Sequence, residues 1–203
     1  ISYLSGRLNS KVVFFICGLM LKIFFYALLY YCLTVQTAHP VVEIAFTPSK
    51  VCEEKIIELI NNSQSSIDVA VYSINNQQII DALYRARQRD VSIRILTDKL
   101  QASGKYSKVE EMHSNGLNIR VHTKNKIEHN KFAVFDGKSA STGSFNWTNA
   151  ATSKNSENCL FLINEPDYAK IYQQRFEELW EMNTETKSEQ WFEKRRIRNE
   201  LNN

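Results

Sequence analysis

Hydrophobic and polar positions recur along the chain with two periods, which predict strands and helices in turn from residue 41 onward. The predicted strands are Val41–Phe46, Ile67–Tyr72, Val91–Leu96, Leu117–Val121, Phe132–Phe135, Ala140–Thr142 and Cys159–Ile163. The predicted helices are Val51–Asn62, Gln77–Arg89, Lys105–Ser114 and Asp167–Met182. A helix between two strands at this spacing is typical of a βαβ unit, whose strands are parallel. The pattern therefore predicts one α/β domain over residues 41–182.

Before this domain, an almost wholly apolar run extends from Val12 to Val35, preceded by Arg7 and Lys11. A basic flank followed by an apolar run is typical of an export signal, and this run is also about long enough to span a bilayer. Lys22 lies inside it, where a charge costs roughly 2.5–3.5 kcal/mol. Residues 1–40 are thus predicted to be a signal peptide or a membrane anchor plus a linker, with the apolar run forming a helix that precedes the domain. We expect the domain to be exported, periplasmic or secreted, or to be membrane-anchored through residues 12–35.

The composition fits a folded protein, with 43% hydrophobic and 23% charged residues in a chain of 203. The formal net charge of +3 is too small to require a polyanionic partner and does not oppose one. Residues 183–203 are predicted to form a polar C-terminal tail, which carries Lys194, Arg195, Arg196 and Arg198. Such a basic cluster suits either nucleic acid or anionic lipid.

The cysteines of the domain allow a disulfide and do not indicate a zinc site. Only Cys52 and Cys159 lie outside the apolar run, so the sequence allows a disulfide without establishing it. Neither residue lies in a Cys-x-x-Cys or Cys/His pattern with zinc-site spacing. We therefore predict no structural metal.

Four polar residues occur in two pairs, with the members of each pair two positions apart. His129 and Lys131 form the first pair, and Ser144 and Asn146, which follow Gly143, form the second. In a strand, residues two apart point to the same face, so each pair projects together. Lysine neutralises phosphoryl oxygens, histidine attacks phosphorus or transfers protons, and hydroxyl and amide groups donate to phosphate oxygens. Each pair alone is typical of a solvated surface, whereas the complete set predicts a phosphate site.

The segment HNKFAVFD resembles the His-x-Lys-x4-Asp motif of the phospholipase D superfamily, with His129, Lys131 and Asp136 at the motif positions. Six residues separate Asp136 from Gly143-Ser144, and Glu157 stands where the family often has an acidic residue that contacts the histidine. The resemblance extends over roughly residues 42–182. It is greatest to small members with a single motif, namely bacterial periplasmic endonucleases, bacterial phospholipase D and the Zucchini-type endonuclease. It implies an α/β/α sandwich around a mixed central sheet.

The resemblance also implies a mechanism that needs two copies of the motif. This chain has one copy, so we expect a homodimer with a shared active site. One His129 would attack phosphorus to give a phosphohistidine, while the other would protonate the leaving oxygen and then activate water. Lys131, Ser144 and Asn146 would bind the phosphate, and Glu157 would fix the tautomer of His129. Asp136 belongs to the catalytic motif, although its place at the strand end suggests that it holds the hairpin. No metal or other cofactor is implied.

Three hypotheses for the function remain open at this stage. An endonuclease acting on DNA or RNA is favoured by the single-motif architecture and by four nearby lysines, Lys124, Lys126, Lys138 and Lys154. A phospholipase D acting on phosphatidylcholine-type lipids is favoured by the apolar N-terminal run and by Phe145 and Trp147, which could contact lipid. A non-enzymatic interaction protein is disfavoured, because no motif position is substituted.

Overall fold

The computed structural model describes residues 16, 18–27, 39–124 and 126–201. The chain forms two compact units, Ile1–His39 and Pro40–Asn203. Of the predicted apolar helix, residues 16 and 18–27 are helical, and the rest of Val12–Val35 lies outside the described residues. Within the described ranges, no helix is both long enough and apolar enough to cross a membrane.

The second unit contains seven strands and seven helices in its described residues. The strands are β1 (Val41–Phe46), β2 (Ser66–Val71), β3 (Ser92–Asp98), β4 (Asn118–His122), β5 (Lys131–Phe135), β6 (Ser139–Gly143) and β7 (Asn158–Ile163). The helices are α1 (Val51–Asn62), α2 (Gln77–Gln88), α3 (Lys99–Ala102), α4 (Val109–Ser114), α5 (Asn149–Ser153), α6 (Pro166–Met182) and α7 (Glu185–Leu201). All seven predicted strands are therefore confirmed to within two residues at either end.

The strands form one mixed sheet in the order β1-β7-β6-β5-β2-β3-β4. Strands β2, β3 and β4 are parallel, which confirms the βαβ prediction. The pairs β1–β7, β7–β6, β6–β5 and β5–β2 are antiparallel. As a result, one edge of the sheet collects an end of every strand. It contains the C-terminal ends of β1, β2, β3, β4 and β6 and the N-terminal ends of β5 and β7.

Helices cover both faces of this sheet, which confirms the α/β/α sandwich. On one face, α1 and α2 contribute Ile56, Ile60, Ile79 and Leu83 to the larger hydrophobic core. On the other face, Phe176, Leu179 and Trp180 of α6 pack in a smaller core against Ala70, Leu96, Phe132 and Val134. Strand β2 lies in the middle of the sheet, and all its residues after Ser66 are buried.

The structure differs from the sequence prediction after Met182, where residues 183–203 were expected to be a polar tail. Most of this segment forms α7, which belongs to the Pro40–Asn203 unit. The backbone N–H of Val121 in β4 donates to Ser188 Oγ at 3.1 Å, and the ring of Phe192 stacks on His113 at 3.7 Å. Arg195 is paired with Glu110 at 2.7 Å. Arg196 is paired with Glu193, also at 2.7 Å. The basic cluster is therefore part of a packed helix, and two of its four charges are already paired.

A disulfide joins Cys52 of α1 to Cys159 of β7, with their Cα atoms 6.0 Å apart. Both residues are buried. The pairing that the sequence leaves open is thus present in the structure, and it ties α1 to the strand that follows Glu157.

Candidate active site

A pocket of about 430 Å³ lies at the sheet edge where β5 and β7 begin and β6 ends. It is lined by His129, Lys131, Gly143, Ser144, Asn146 and Glu157. His129 lies just before β5, Ser144 and Asn146 follow β6, and Glu157 directly precedes β7. The antiparallel pairing of these three strands thus brings together five of the six predicted site residues. Asp136 is the exception.

Lys131 begins β5 and lines the pocket. Its Nζ donates to the backbone oxygen of His129 at 2.6 Å and lies 5.0 Å from the centre of the Tyr72 ring. Burial lowers the pKa of Lys131, against the opposing effect of the Glu157 and Glu128 carboxylates. A partly desolvated ammonium interacts more strongly with a phosphate oxygen than a fully hydrated one does.

The backbone around His129 is held by residues that sequence reasoning did not identify. Buried Glu128 accepts hydrogen bonds from the backbone and the side-chain amide of Asn130, at 3.0 and 2.6 Å. The backbone N–H of Glu128 donates to Asp98, whose carboxylate also caps α3. Tyr72 donates its backbone N–H to the Asn130 oxygen at 2.9 Å. These bonds fix the segment on both sides of the histidine.

Gly143 ends β6 in a conformation that only glycine adopts readily, with φ at 144°. A Cβ atom at this position would collide with the backbone carbonyl of Asn158. The close approach allows Ser144 N–H to donate to the Asn158 oxygen at 3.1 Å, while Asn158 N–H donates to Ser144 Oγ at 3.0 Å. Because that hydroxyl only accepts, its own proton can be donated to a ligand.

Asn146 lies in the pocket wall with hydrogen-bonding capacity unused. Its Oδ1 is one of two buried side-chain atoms without a hydrogen-bond partner among the described residues. Buried polar atoms are almost always satisfied, so this unsatisfied acceptor favours binding of a donor group, whereas the amide nitrogen Nδ2 is the part of Asn146 that can donate to a phosphate oxygen.

Glu157 lines the pocket, but the predicted contact with the imidazole of His129 is not formed in this structure. Its Oε1 accepts from Asn155 Nδ2 at 3.0 Å, and its backbone exchanges hydrogen bonds with Thr47. In the described part of the chain, no hydrogen bond joins Glu157 to His129. The tautomer-fixing role of Glu157 therefore stays a prediction.

Asp136 lies at the other end of β5, and this corrects its grouping with the catalytic residues. Its carboxylate accepts from the backbone N–H groups of Gln64, Ser65 and Ser66 and from Ser65 Oγ. Burial alone would raise the pKa of Asp136, but these hydrogen bonds outweigh it and lower the pKa. The residue ties the β5–β6 turn to the beginning of β2, as its place at the strand end suggested.

The other residues used in the substrate hypotheses divide into two groups. Lys124, Lys126 and Lys154 are exposed in loops at the edge that carries the pocket, whereas Lys138 lies in the β5–β6 turn at the opposite edge. Phe145 and Trp147 are 3% and 2% exposed, so the suggestion that they contact lipid is wrong. Across the described ranges, no group of three or more His, Cys, Asp or Glu side chains is placed to bind a metal ion.

Comparison with protein families gives a match between residues 56–180 and the family described as cardiolipin synthase, PLD-like domain. A mitochondrial cardiolipin hydrolase from Chlamydomonas reinhardtii is 29% identical over 140 residues, which are 69% of this chain and 61% of that protein. A phospholipase D from Rickettsia prowazekii is 34% identical over 135 residues, 66% of this chain and 65% of that protein. The chain thus spans about three fifths to two thirds of the length of these relatives.

Solved structures give the same picture for the fold. Nuc from Salmonella typhimurium, a phospholipase D family member, superposes with a TM-score of 0.69 at 28% identity, over 72% of this chain and 97% of Nuc. NucT from Helicobacter pylori superposes with a TM-score of 0.62 at 19% identity, over 70% of this chain and 96% of NucT. The second likeness concerns the fold alone.

Proposed function

The chain belongs to the cardiolipin synthase, PLD-like domain family, and from that premise we propose that it is a phosphodiesterase that forms a phosphohistidine on His129. The observation that carries the proposal is the single pocket that His129 shares with Lys131, Ser144 and Asn146. A nucleophile, a cation and two neutral donors around one cavity are what attack at phosphorus requires.

In the proposed reaction, a ring nitrogen of His129 attacks phosphorus, and the P–O bond to the leaving group breaks. The leaving oxygen takes a proton from the partner subunit's His129, which then removes a proton from water as that water attacks the phosphohistidine. The P–N bond breaks and the free histidine returns. Lys131, Ser144 and Asn146 stabilise the charge on the non-bridging oxygens throughout. This chemistry uses no metal or other cofactor.

We propose a homodimer with a shared active site because the reaction needs a second histidine. In the described residues, the pocket contains His129 as its only histidine. A two-fold axis at the pocket would bring the same residue from both subunits together. Asn155 uses only Oε1 of Glu157, so Oε2 would be the oxygen that accepts a hydrogen bond from the ring of His129 when a substrate or the partner subunit is bound.

We propose nucleic acid, DNA or RNA, as the substrate, which makes the protein an endonuclease. Two properties of the sheet edge that carries the pocket support this choice. The pocket is lined by polar residues and glycine, and Lys124, Lys126 and Lys154 are exposed in loops at the same edge of the sheet, where a phosphate backbone would meet them.

The alternative is a phospholipase D that releases phosphatidic acid and a head-group alcohol from phosphatidylcholine-type lipids. It is supported by relatives named phospholipase D and mitochondrial cardiolipin hydrolase. The apolar run Val12–Val35 would hold such an enzyme at its substrate.

For location, we propose that the domain is exported or held on the outer side of a membrane. The bond between Cys52 and Cys159 supports this proposal, because disulfides persist in oxidising compartments. The basic flank and apolar run at the N-terminus support it independently.

The function is tested by incubating the full chain, in mild detergent with a metal chelator, with single-stranded DNA, RNA and phosphatidylcholine or cardiolipin vesicles. The His129→Ala variant should lose activity by roughly 10³-fold or more, because the nucleophile is removed. The control is His39→Ala, since His39 is an exposed residue of the other unit. Thermal unfolding verifies that both variants fold.

The outcomes separate the candidates. Nucleic acid cleaved without lipid turnover supports the endonuclease, and head-group release without nucleic acid cleavage supports the phospholipase. Full activity in His129→Ala would refute the phosphohistidine mechanism. Activity lost with chelator and restored by zinc or magnesium would refute its metal independence.

A further inference from the structure

Tyr72, the residue directly after β2, contacts two residues of the proposed reaction although it lies outside the motif. Its ring centre is 4.7 Å from that of His129, with the two planes tilted by 60°. The same ring lies 5.0 Å from Lys131 Nζ. The imidazole and the ammonium therefore share one aromatic neighbour.

The Tyr72 ring is itself held from two directions. Its hydroxyl accepts a hydrogen bond from Gln101 Nε2 at 2.8 Å, and its backbone N–H donates to Asn130 between the two motif residues at 2.9 Å. Gln101 lies on α3, which is capped by Asp98, and Asp98 also binds the backbone N–H of Glu128. The ring is thus fixed in the same hydrogen-bond network as the histidine backbone.

We propose that Tyr72 is a positioning residue, which holds His129 and Lys131 in the geometry for attack, and that Gln101 fixes its ring. This proposal rests on the function assigned to the pocket. Packing of the ring against both side chains limits the orientations that the imidazole and the ammonium can take. It also restricts a flexible lysine that would otherwise rotate into solvent.

The same contact bears on the pH dependence of the reaction. Burial lowers the pKa of Lys131, and the Tyr72 ring is part of its surroundings. The carboxylates of Glu157 and Glu128 act on the same ammonium and oppose the effect of burial. Removing the ring should hydrate the ammonium, so the loss of activity at alkaline pH should move to higher pH.

The test compares Tyr72→Leu, Tyr72→Phe and Gln101→Leu in the full chain, with bis(p-nitrophenyl) phosphate as a small substrate. We expect kcat to fall by about 100-fold in Tyr72→Leu with KM little changed, because misplaced reacting groups cost that much. Tyr72→Phe keeps the ring and should recover most of this loss, while Gln101→Leu should lower kcat by several-fold. Tyr106→Leu is the control, since Tyr106 is 75% exposed, and it should be unchanged.

The outcomes keep this proposal separate from the proposed function. Wild-type kcat in a folded Tyr72→Leu, or an unchanged alkaline limb, would overturn the positioning role. If Tyr72→Leu does not fold, Gln101→Leu decides the question. The positioning role requires that this variant lower kcat while its thermal unfolding midpoint stays at the wild-type value. If the wild type itself has no activity, the proposed function fails. Positioning is then tested by NMR, where the ring-current shift of the His129 ring protons must disappear in Tyr72→Leu.

Discussion

The carboxylate of Asp136 accepts hydrogen bonds from three consecutive backbone N–H groups, those of Gln64, Ser65 and Ser66. Replacement by asparagine removes the charge and at least one of these acceptors. We expect Asp136→Asn to lower the free energy of unfolding by roughly 1–3 kcal/mol at neutral pH. Activity per folded molecule should change little, because the residue lies away from the pocket.

The pH dependence of this effect has a defined sign. The pKa of Asp136 is lowered in the folded state, so its contribution is present above the ordinary aspartate range and is lost as pH falls through the lowered pKa. Urea unfolding of both proteins between neutral pH and about pH 3 should show the two curves converging. The control is Asp81→Asn, at an exposed helical position. A difference that stays constant over this range would contradict the role assigned to the charge.

The residues of the pocket differ in how far the sequence could predict them. The sequence paired His129 with Lys131 and Ser144 with Asn146 by strand alternation. The pocket contains all four, but only Lys131 lies in a strand, and the other three lie just outside β5 and β6. Tyr72 does not follow from such a pattern, because it reaches the site only through the pairing of β2 with β5, which local patterns do not specify. Glu128 adjoins the motif, but nothing in the sequence indicates that its carboxylate is buried.

At the scale of elements, strands were easier to predict than the shortest and the most polar helices. Strand β2 is buried along nearly its whole length, and its sequence SIDVAV is rich in the β-branched residues that favour strands. Helix α3 has four residues and α5 has five, too few for a helical period to emerge. Helix α7 buries only Ser188 and Phe192 among its 17 residues, so its sequence resembles a solvated tail.

Helix α7 nevertheless contributes to the stability of the domain through Phe192. Its side chain is 7% exposed and stacks on His113. We expect Phe192→Ala to lower the free energy of unfolding by about 3 kcal/mol, because it leaves a cavity against β4 and α4. Chemical denaturation measures this, with Leu201→Ala as the control because Leu201 is 81% exposed. Equal stability of the two variants would mean that α7 does not pack on the domain in solution.

At the scale of the whole molecule, the proposed shared site predicts how subunits combine. If each reaction needs His129 from both subunits, mixed dimers of wild type and His129→Ala should be inactive. After exchange at equal concentrations, activity per wild-type subunit should fall by about half. Light scattering and a titration with the variant measure assembly and activity together. Activity that stays proportional to the wild-type subunit alone would show that each chain works independently.

The pairing of β1 with β7 has a consequence for how the protein is made. Val41 pairs with Ile163. Strand β1 is therefore synthesised before the other six strands of the sheet but can pair only after β7 has been made. Ile44 and Phe46 are more than half exposed even afterwards, so the waiting strand is prone to aggregate. The sheet can close only once almost the whole domain has been synthesised. If the domain is exported as proposed, this late closure would help to keep the chain unfolded until it has crossed the membrane.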